Sequence, residues 1–349
     1  MAVRIGIIGC GVIGGAHLKE LAEYDSAVLE AIADPIADRR ATVTEDFAPR
    51  KSYERGEALI DDADVDAVIL AVPAEPRFEL AKHAINAGKH VLIEKPVARN
   101  AAEVDAYIEL AKPGQVIGVC SSRFRFTFTA AALQDALATP GVQPVQQIIH
   151  SGLKPIPEPP SDPPPAWRLS HKLNAGGIMS NWGCYDLDYL LAALPAGDTP
   201  TEVSASIRGI PQQIDPWVAP GSDAETYVSV MIRFTSGATV HLNRGEFLPL
   251  GEAKNETIIM GRSASVTAPM VATDAPATVT RYTANGKESS EVANTVDGFG
   301  SFHTGMVRDF IDAIREGRDP ATNLGRARII QSITDAIYQS AKEQRSISL

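Results

Sequence analysis

The stretch that most constrains this chain is its first fourteen residues, MAVRIGIIGCGVIG. A short apolar run, Val3 to Ile8, passes directly into Gly9, Gly11 and Gly14. An apolar, alanine-rich segment continues from Val12 to about Tyr24. That order reads as strand, tight turn and helix, the setting in which the spacing G-x-G-x-x-G has a mechanism. Gly9 permits the turn, Gly11 lets the main chain approach a pyrophosphate, and Gly14 lets the helix pack close to the strand. The free N–H groups and partial positive charge at the helix N-terminus then favour phosphate. Gly9, Cys10, Gly11, Val12, Ile13 and Gly14 are therefore candidate cofactor contacts. A second apolar run, Val28 to Ala33, ends in Asp34, about 20 residues past Gly14, where an acid meets the adenosine ribose. The competing interpretation is a structural turn followed by a surface aspartate.

With 349 residues the chain is long enough for two domains. Its hydrophobic content of 44% and charged content of 21% are those of an ordinary globular protein. A net charge of −11 with no basic cluster argues against nucleic acid or an anionic membrane as partner. No apolar run approaches the roughly 20 residues that span a bilayer, and no signal peptide is expected ahead of a fold that begins at Val3. Cys10, Cys120 and Cys184 have no paired spacing, which suits a reducing cytoplasm and provides no disulfide or zinc framework. The seven histidines are dispersed and no metal-ligand spacing is present, so no metal is expected. Ser121–Ser122 lacks a G-x-S-x-G elbow, so nucleophilic hydrolysis has no support.

Along the first part of the chain, apolar runs alternate with helical patterns. Strands are expected at Val3–Ile8, Val28–Ala33, Ala67–Val72, His90–Ile93 and Val116–Val119. Helices are expected at Val12–Tyr24, Phe78–Ala87 and Ala101–Ala111. Such alternation predicts an α/β domain over residues 1–122 with a doubly wound parallel sheet, covered on both faces. Ligands of such sheets sit at the C-terminal ends of the strands. The loops at Gly9–Gly14, Asp34, Val72–Arg77, Glu94–Pro96 and Cys120–Phe126 are thus expected around one cleft, which adds Val72 and Pro73 to the cofactor candidates.

The pattern changes in residues 123–349. After a helix over Thr129–Ala138 come β-branched segments at Val145–His150, Val203–Ile210, Tyr227–Phe234, Ala238–Leu242, Glu256–Met260 and Thr278–Tyr282. No helices separate the later ones, which predicts an α+β domain with a large, open, mostly antiparallel sheet. Helices over Phe302–Glu316 and about Arg326–Lys342 close the pattern. Pro155 to Pro165, with prolines at 155, 157, 159, 160, 163, 164 and 165, is expected as an extended surface loop, not helix or central strand.

Two constellations could do chemistry. Glu94-Lys95-Pro96 directly follows the apolar run Val91–Ile93, so Lys95 is aimed into the cleft, able to donate a hydrogen bond or proton, and Pro96 fixes the backbone. The second runs from Ala175 to Asp188 (AGGIMSNWGCYDLD). Gly176 and Gly177 suit close backbone approach, and helical spacing puts Asn181, Tyr185 and Asp188 on one face. A tyrosine near a lysine can act as general acid or base; the alternative is a pair of ordinary buried polar residues. Trp167-Arg168 and Arg123-Phe124-Arg125-Phe126 add arginines that could grip a hydroxyl or carboxylate, stack on a nicotinamide, or tie domains together.

Over nearly its whole length the chain resembles the glucose–fructose oxidoreductase / inositol dehydrogenase (Gfo/Idh/MocA) family. The resemblance rests on Gly9-Cys-Gly-Val-Ile-Gly14, Ala-Ile-Ala-Asp34, Ala87-Gly-Lys-His-Val-Leu-Ile-Glu-Lys-Pro96, Trp167-Arg168 and Gly176-Gly177…Gly183…Asp188. It implies a Rossmann domain followed by an open sheet whose outer face mediates homodimers or homotetramers, with the C-terminal helix at about 326–342 returning to the Rossmann domain. It also implies a nicotinamide-dependent oxidoreductase acting on a sugar, inositol or related polyol, with Lys95 near the reacting carbon. Three positions depart from the commoner pattern: Asn181 stands where most members carry Asp, Tyr185 where they carry the catalytic His, and Arg77 where many carry His. Tyrosine at the His position also occurs in active members similar to glucose–fructose oxidoreductase and dihydrodiol dehydrogenase.

The mechanism this implies is reversible hydride transfer between a secondary alcohol and the nicotinamide. The catalytic residues are Lys95, Tyr185 as proton shuttle and Asn181 orienting a hydroxyl, with Arg123, Trp167 and Arg168 lining the substrate side. Glu94 and Arg123 are further cofactor candidates. NAD(H) is favoured, because Asp34 accepts from the ribose 2′-OH and repels a 2′-phosphate. Arg39 and Arg40 leave NADP(H) open. The rival classes are a non-catalytic NAD(H)- and sugar-binding protein, motivated by Asn181, and an enzyme that cycles tightly bound NAD internally.

Overall fold

The β-rich cores are built on strands that are apolar where both faces are covered and alternating where one is. The computed structural model describes residues 2–158, 165–212, 214, 218–269, 277–292 and 304–349. The chain divides into two units. The first runs through Arg123 and takes in a later segment ending at Arg328; the second begins at Phe124 and resumes at Ile329.

The first unit contains β1 (Val3–Ile8), α1 (Val12–Ala22), β2 (Ala27–Ala33), α2 (Ala37–Phe47), β3 (Lys51–Tyr53), α3 (Gly56–Ile60), β4 (Ala67–Leu70), α4 (Ala74–Asn86), β5 (His90–Ile93), α5 (Ala101–Leu110) and β6 (Ile117–Val119). The strands form one parallel sheet in the order β3-β2-β1-β4-β5-β6. Ile5, Ile7, Ile32 and every residue of β4 are fully buried, as helices on both faces require. The order reverses between β1 and β4, so the turn after β1 and the Ala71–Pro73 turn after β4 flank the crevice where such sheets take ligands. α1 packs on β1 and β2, and its Leu18 and Leu21 are buried.

Sequence patterning missed β3, α2 and α3. β3 is three residues long and half polar, and α2 buries only Val43, so neither carries an apolar period. The strand expected over Ala67–Val72 ends at Leu70, and the helix expected from Phe78 starts four residues earlier, at Ala74, behind Pro73.

The second unit contains α6 (Phe128–Leu137), β7 (Gln147–Pro155), α7 (His171–Asn174), α8 (Cys184–Leu191), β8 (Pro200–Arg208), β9 (Tyr227–Phe234), β10 (Thr239–Leu248), β11 (Lys254–Met260), β12 (Ala264–Ala268), β13 (Ala277–Thr283) and β14 (Gly286–Val292). Helix α9 (Thr304–Glu316) belongs to the first unit, and α10 (Leu324–Glu343) begins there and continues into the second, which β15 (Ile347–Ser348) closes. Nine strands form one sheet in the order β14-β13-β12-β11-β7-β10-β9-β8-β15. The β7–β10 pair is parallel and the other pairs are antiparallel.

β7 extends past the expected His150 through Pro155, which pairs with Leu248 at the strand's end; proline is tolerated there because no further ladder is needed. Residues 159–164 of the proline-rich expectation lie outside the described residues, as do Phe302 and His303 of the helix expected from Phe302. β12 and β14 escaped the sequence reading because they are short or strongly polar. The helix that packs on α1, β1 and β5 is α9, whereas the sequence reading gave the return to about 326–342; only the first turn of α10, with Leu324 and Ala327 in the core of the first sheet, lies in that unit.

Candidate functional site

In the first unit the glycine turn has the geometry its spacing demands. Gly9 has φ +103°, and a Cβ there would lie 2.4 Å from Ala71 O. A Cβ on Gly14 would lie 1.9 Å from Gly9 O, so the third glycine is what lets α1 close on the turn. Gly11 is different: a Cβ there would meet only open space. Gly11 is also the N-cap of α1 and brings no side-chain cap, leaving the first N–H groups of the helix for an external acceptor. Val12, next in line, is almost wholly exposed.

Asp34 directly follows β2 and is buried. Its Oδ2 accepts from Cys10 N at 2.9 Å and its Oδ1 from Ile36 N at 2.8 Å, so the carboxylate locks the glycine turn to the turn after β2. A carboxylate has about four acceptor sites, so two remain. Arg40 donates to the Asp34 carbonyl at 2.6 Å, while the half-exposed Arg39 guanidinium stands 3.8 Å from the Asp34 carboxylate. Burial, with the Asp34 charge beside it, pushes the Cys10 thiol up to about 11.

Lys95 lies just beyond β5, half-buried, with a cis bond to Pro96. The loop that carries it is held from two sides. Arg77, buried in the first turns of α4, donates to Val72 O at 2.9 Å, to Pro96 O at 2.6 Å, and to Glu94 O. From the other side the Glu94 carboxylate accepts from the Lys95 N–H and from His17 Nε2, each at 2.9 Å. Burial alone would raise the Glu94 carboxyl. The hydrogen bond from His17 and the charges of His17, Arg123 and Lys95 instead hold it well below the usual carboxylate range. Cys120, fully buried, lies beside Glu94, and burial and that carboxylate push its thiol far up.

Although the sequence has no metal-ligand spacing, the fold brings ligand-type atoms of His17, Glu94 and Cys120 within 4.8 Å of one another. A hydrogen bond already joins His17 to Glu94 and Cys120 lies beside them, which makes the trio a brace for the Lys95 loop. Arg123, also buried, is the cation beside Glu94.

In the second unit, Met179–Gly183 forms a π-helical turn leading into α8. A π turn carries more residues than an α turn, and the simple i, i+4 face expected for Asn181 and Tyr185 does not describe it. Asn181 is turned inward: its Nδ2 donates to Arg168 O at 3.0 Å and its Oδ1 accepts from Asn174 at 3.2 Å. Tyr185 is buried beside the Phe124 ring, centroids 5.2 Å apart, and edge-on to Trp182 at 6.1 Å.

Gly176 and Gly177 are indeed sites of close approach, but to the protein itself. Cβ atoms there would each lie 1.9 Å from another group, Tyr338 Oη for Gly176 and Glu225 O for Gly177. The buried Glu225 carboxylate takes the N–H groups of Gly177 and Met179 and the Tyr338 hydroxyl, and so fixes the start of the π turn. Arg168 Nη2 donates to Glu246 Oε2 at 2.6 Å, Trp167 is exposed, and Arg125 stands 3.9 Å from the buried Asp188.

Residues 3–121 match the model of the oxidoreductase family with an NAD-binding Rossmann fold, and residues 151–267 match the GFO/IDH/MocA C-terminal domain. The chain belongs to the Gfo/Idh/MocA oxidoreductases. Similar Gfo/Idh/MocA-type proteins include the myo-inositol 2-dehydrogenase of Thermotoga maritima, 27% identical with 99% of this chain and 98% of the relative covered. The scyllo-inositol 2-dehydrogenase (NAD(+)) of Bacillus subtilis is 24% identical, with 91% and 88% covered. In fold, the chain is similar to a levoglucosan dehydrogenase solved in complex with NADH, with a TM-score of 0.86 at 22% identity over 100% of this chain and 99% of the other.

The residues of the first unit fit the NAD of the Gfo/Idh/MocA family. The open space at Gly11, the uncapped N-terminus of α1 and the spare acceptor sites of Asp34 are what a pyrophosphate and a ribose hydroxyl need. Among the described residues no helix is long and apolar enough to cross a membrane. Sequence reasoning overlooked His17, whose place one turn after Gly14 was the available signal. It noted Arg77 only as a departure from the Gfo/Idh/MocA pattern, and overlooked Glu246 and Lys154, which no local motif marks.

Proposed function

We propose that this family member is an NAD-dependent dehydrogenase that interconverts a secondary alcohol and ketone on a sugar, inositol or related polyol. The observation that carries the reading is the bracing of Lys95: four polar contacts, from Arg77, Glu94 and His17, are spent on one short loop at the carboxyl end of β5. Such investment in orienting one amine is what proton handling at a fixed carbon requires. The names and NADH complex of the relatives support the same class of substrate and cofactor.

The bound nicotinamide supplies the hydride chemistry. The main chain from Gly9 to Gly14, with Cys10, Val12 and Ile13, binds the pyrophosphate; Asp34 takes the ribose hydroxyls and selects NAD(H) over NADP(H). Val72 and Pro73 border the same crevice, with Glu94 and Arg123 further along the sheet. Lys95 donates to the alcohol oxygen and Tyr185 moves its proton. Asn181 acts at one remove, holding the Arg168 main chain, while Arg168 and Trp167 face substrate. The outer face of the nine-stranded sheet is the proposed homo-oligomer contact. Three buried cysteines outside any disulfide support a reducing, cytoplasmic setting.

The test is to assay Lys95→Ala and Tyr185→Phe with NAD⁺ and a panel of sugars and inositols. Both are expected to lose turnover while retaining NADH binding; unchanged turnover in both would sink the assignment.

A further inference from the structure

In the second unit three cations lie near one another, two of them against one aromatic ring, and only two of the three have found a carboxylate. Arg244, almost fully buried in β10, makes a two-pronged pair with the buried Asp186 of α8. His150 Nε2 stands 3.4 Å from the same carboxylate. Arg168 is paired with Glu246. Lys154, near the end of β7, is the third. Its ammonium lies 4.4 Å from the centroid of the Trp182 ring, whose other cationic neighbour, Arg244, lies at 5.7 Å. Among the described residues no carboxylate is within ion-pairing distance of Lys154 and no hydrogen bond is made by its amine. The lysine is exposed and the tryptophan partly so, and both are therefore reachable from outside the unit.

A second, independent observation sits beside it. Glu246 is buried, its Oε2 is gripped by Arg168, and its Oε1 has no hydrogen-bond partner. A buried carboxylate oxygen left unmade costs the full desolvation of that group. The place beside it is therefore one for a donor from outside the protein, a hydroxyl.

The local ledger of charge is one positive in excess, on a chain whose net charge is −11. An unpaired ammonium over an aromatic face, next to an unpaired hydroxyl acceptor, matches a hydroxylated carboxylic acid better than a neutral polyol. We propose that the substrate is a sugar acid, its carboxylate received by the Lys154 ammonium above Trp182 and a neighbouring hydroxyl by Glu246. This rests on the dehydrogenase reading and narrows its substrate class. Lys154 and Glu246 are thus specificity-determining residues.

The experiment compares matched pairs of probes, D-glucuronate against D-glucose and D-gluconate against sorbitol. Calorimetric binding to the NADH-saturated protein is measured alongside NADH formation from NAD⁺. The acid of each pair is expected to bind about tenfold or more tightly than its neutral partner, the scale of one charge-assisted hydrogen bond. In Lys154→Met that preference should collapse toward unity, chiefly through KM, and in Lys154→Arg it should be largely restored. Equal or tighter binding of the neutral partners, no binding of either acid, or an undiminished preference in Lys154→Met overturns the proposal. If an acid binds through Lys154 yet forms no NADH, the subsite stands and the dehydrogenase reading falls.

Discussion

The proposed sites of the two units are built by opposite means. The first works through main chain and absent side chains: three glycines, an uncapped helix start, and one carboxylate that spends half its capacity on backbone N–H groups. The second works through side chains brought together from β7, β10, the 3-10 segment Ala166–Leu169 and the π turn, with buried charges balanced pairwise. Recognition by backbone is local in sequence and tolerates nearly any side chain that leaves the turn intact. Recognition by side chains is non-local and changes with every substitution. A shared cofactor and a changeable substrate call for that division of labour.

The sharpest way to break the contrast is at Lys95, a side chain serving the backbone-built half. Lys95→Ala should lower kcat/KM by about 10²–10⁴-fold, the range for a lost proton-handling group, with NADH affinity retained in a fluorescence titration. A comparable loss of NADH affinity would show that Lys95 belongs to the cofactor cradle instead. Next come the glycines. Gly14→Ala forces a Cβ to 1.9 Å from Gly9 O and should cost about 1–3 kcal/mol of stability in denaturant unfolding, as overpacking does. Gly11→Ala meets open space and should leave the unfolding curve of the free protein in place while weakening NADH binding. If the two behave alike, the open space at Gly11 is not where phosphate lies.

A smaller effect is expected at Asp34→Ser, which should move the NAD⁺ to NADP⁺ preference about tenfold toward NADP⁺ in steady-state kinetics. An unmoved ratio would take the ribose away from Asp34. The smallest effect separates binding from stability. Glu20, buried in α1 with neither carboxylate oxygen hydrogen-bonded, is pushed up to about 9 by burial, against the pull of Arg308. A carboxyl whose folded pKa lies above its unfolded value favours folding most at low pH, and that contribution is lost as pH rises from about 4.5 through 9. Wild-type Tm should fall over that window, and Glu20→Gln should flatten the fall. Parallel Tm profiles for the two proteins would remove Glu20 from the account.

The same division explains what could be read in advance. The parallel sheet, the glycine turn, Asp34 and the Lys95 loop were legible because apolar runs and fixed spacings encode them within a few residues. The antiparallel sheet was legible as β-branched runs, but not β12 or β14, nor the parallel β7–β10 pairing, which depends on partners about 90 residues apart. Asn181 and Tyr185 stand out in the sequence, yet the π turn that redirects Asn181 has no signature in local periodicity. His17 and Arg77 went unweighted because their partner, the Glu94–Pro96 loop, is remote in the chain. Lys154 and Glu246 acquire meaning only from what lies across the sheet.

Gly152 of β7 carries one further consequence. A Cβ there would lie 2.3 Å from the Arg244 guanidinium, which occupies that space to reach Asp186. Losing either charged partner alone leaves the other buried and uncompensated, a cost of about 3–5 kcal/mol. Adding a side chain at 152 evicts the arginine with the same result. In evolutionary terms the three positions form a ratchet. No single step leads from Gly152–Asp186–Arg244 to an apolar packing of equal stability, so a lineage that acquires the triplet keeps it while the exposed Lys154 beside it is free to vary.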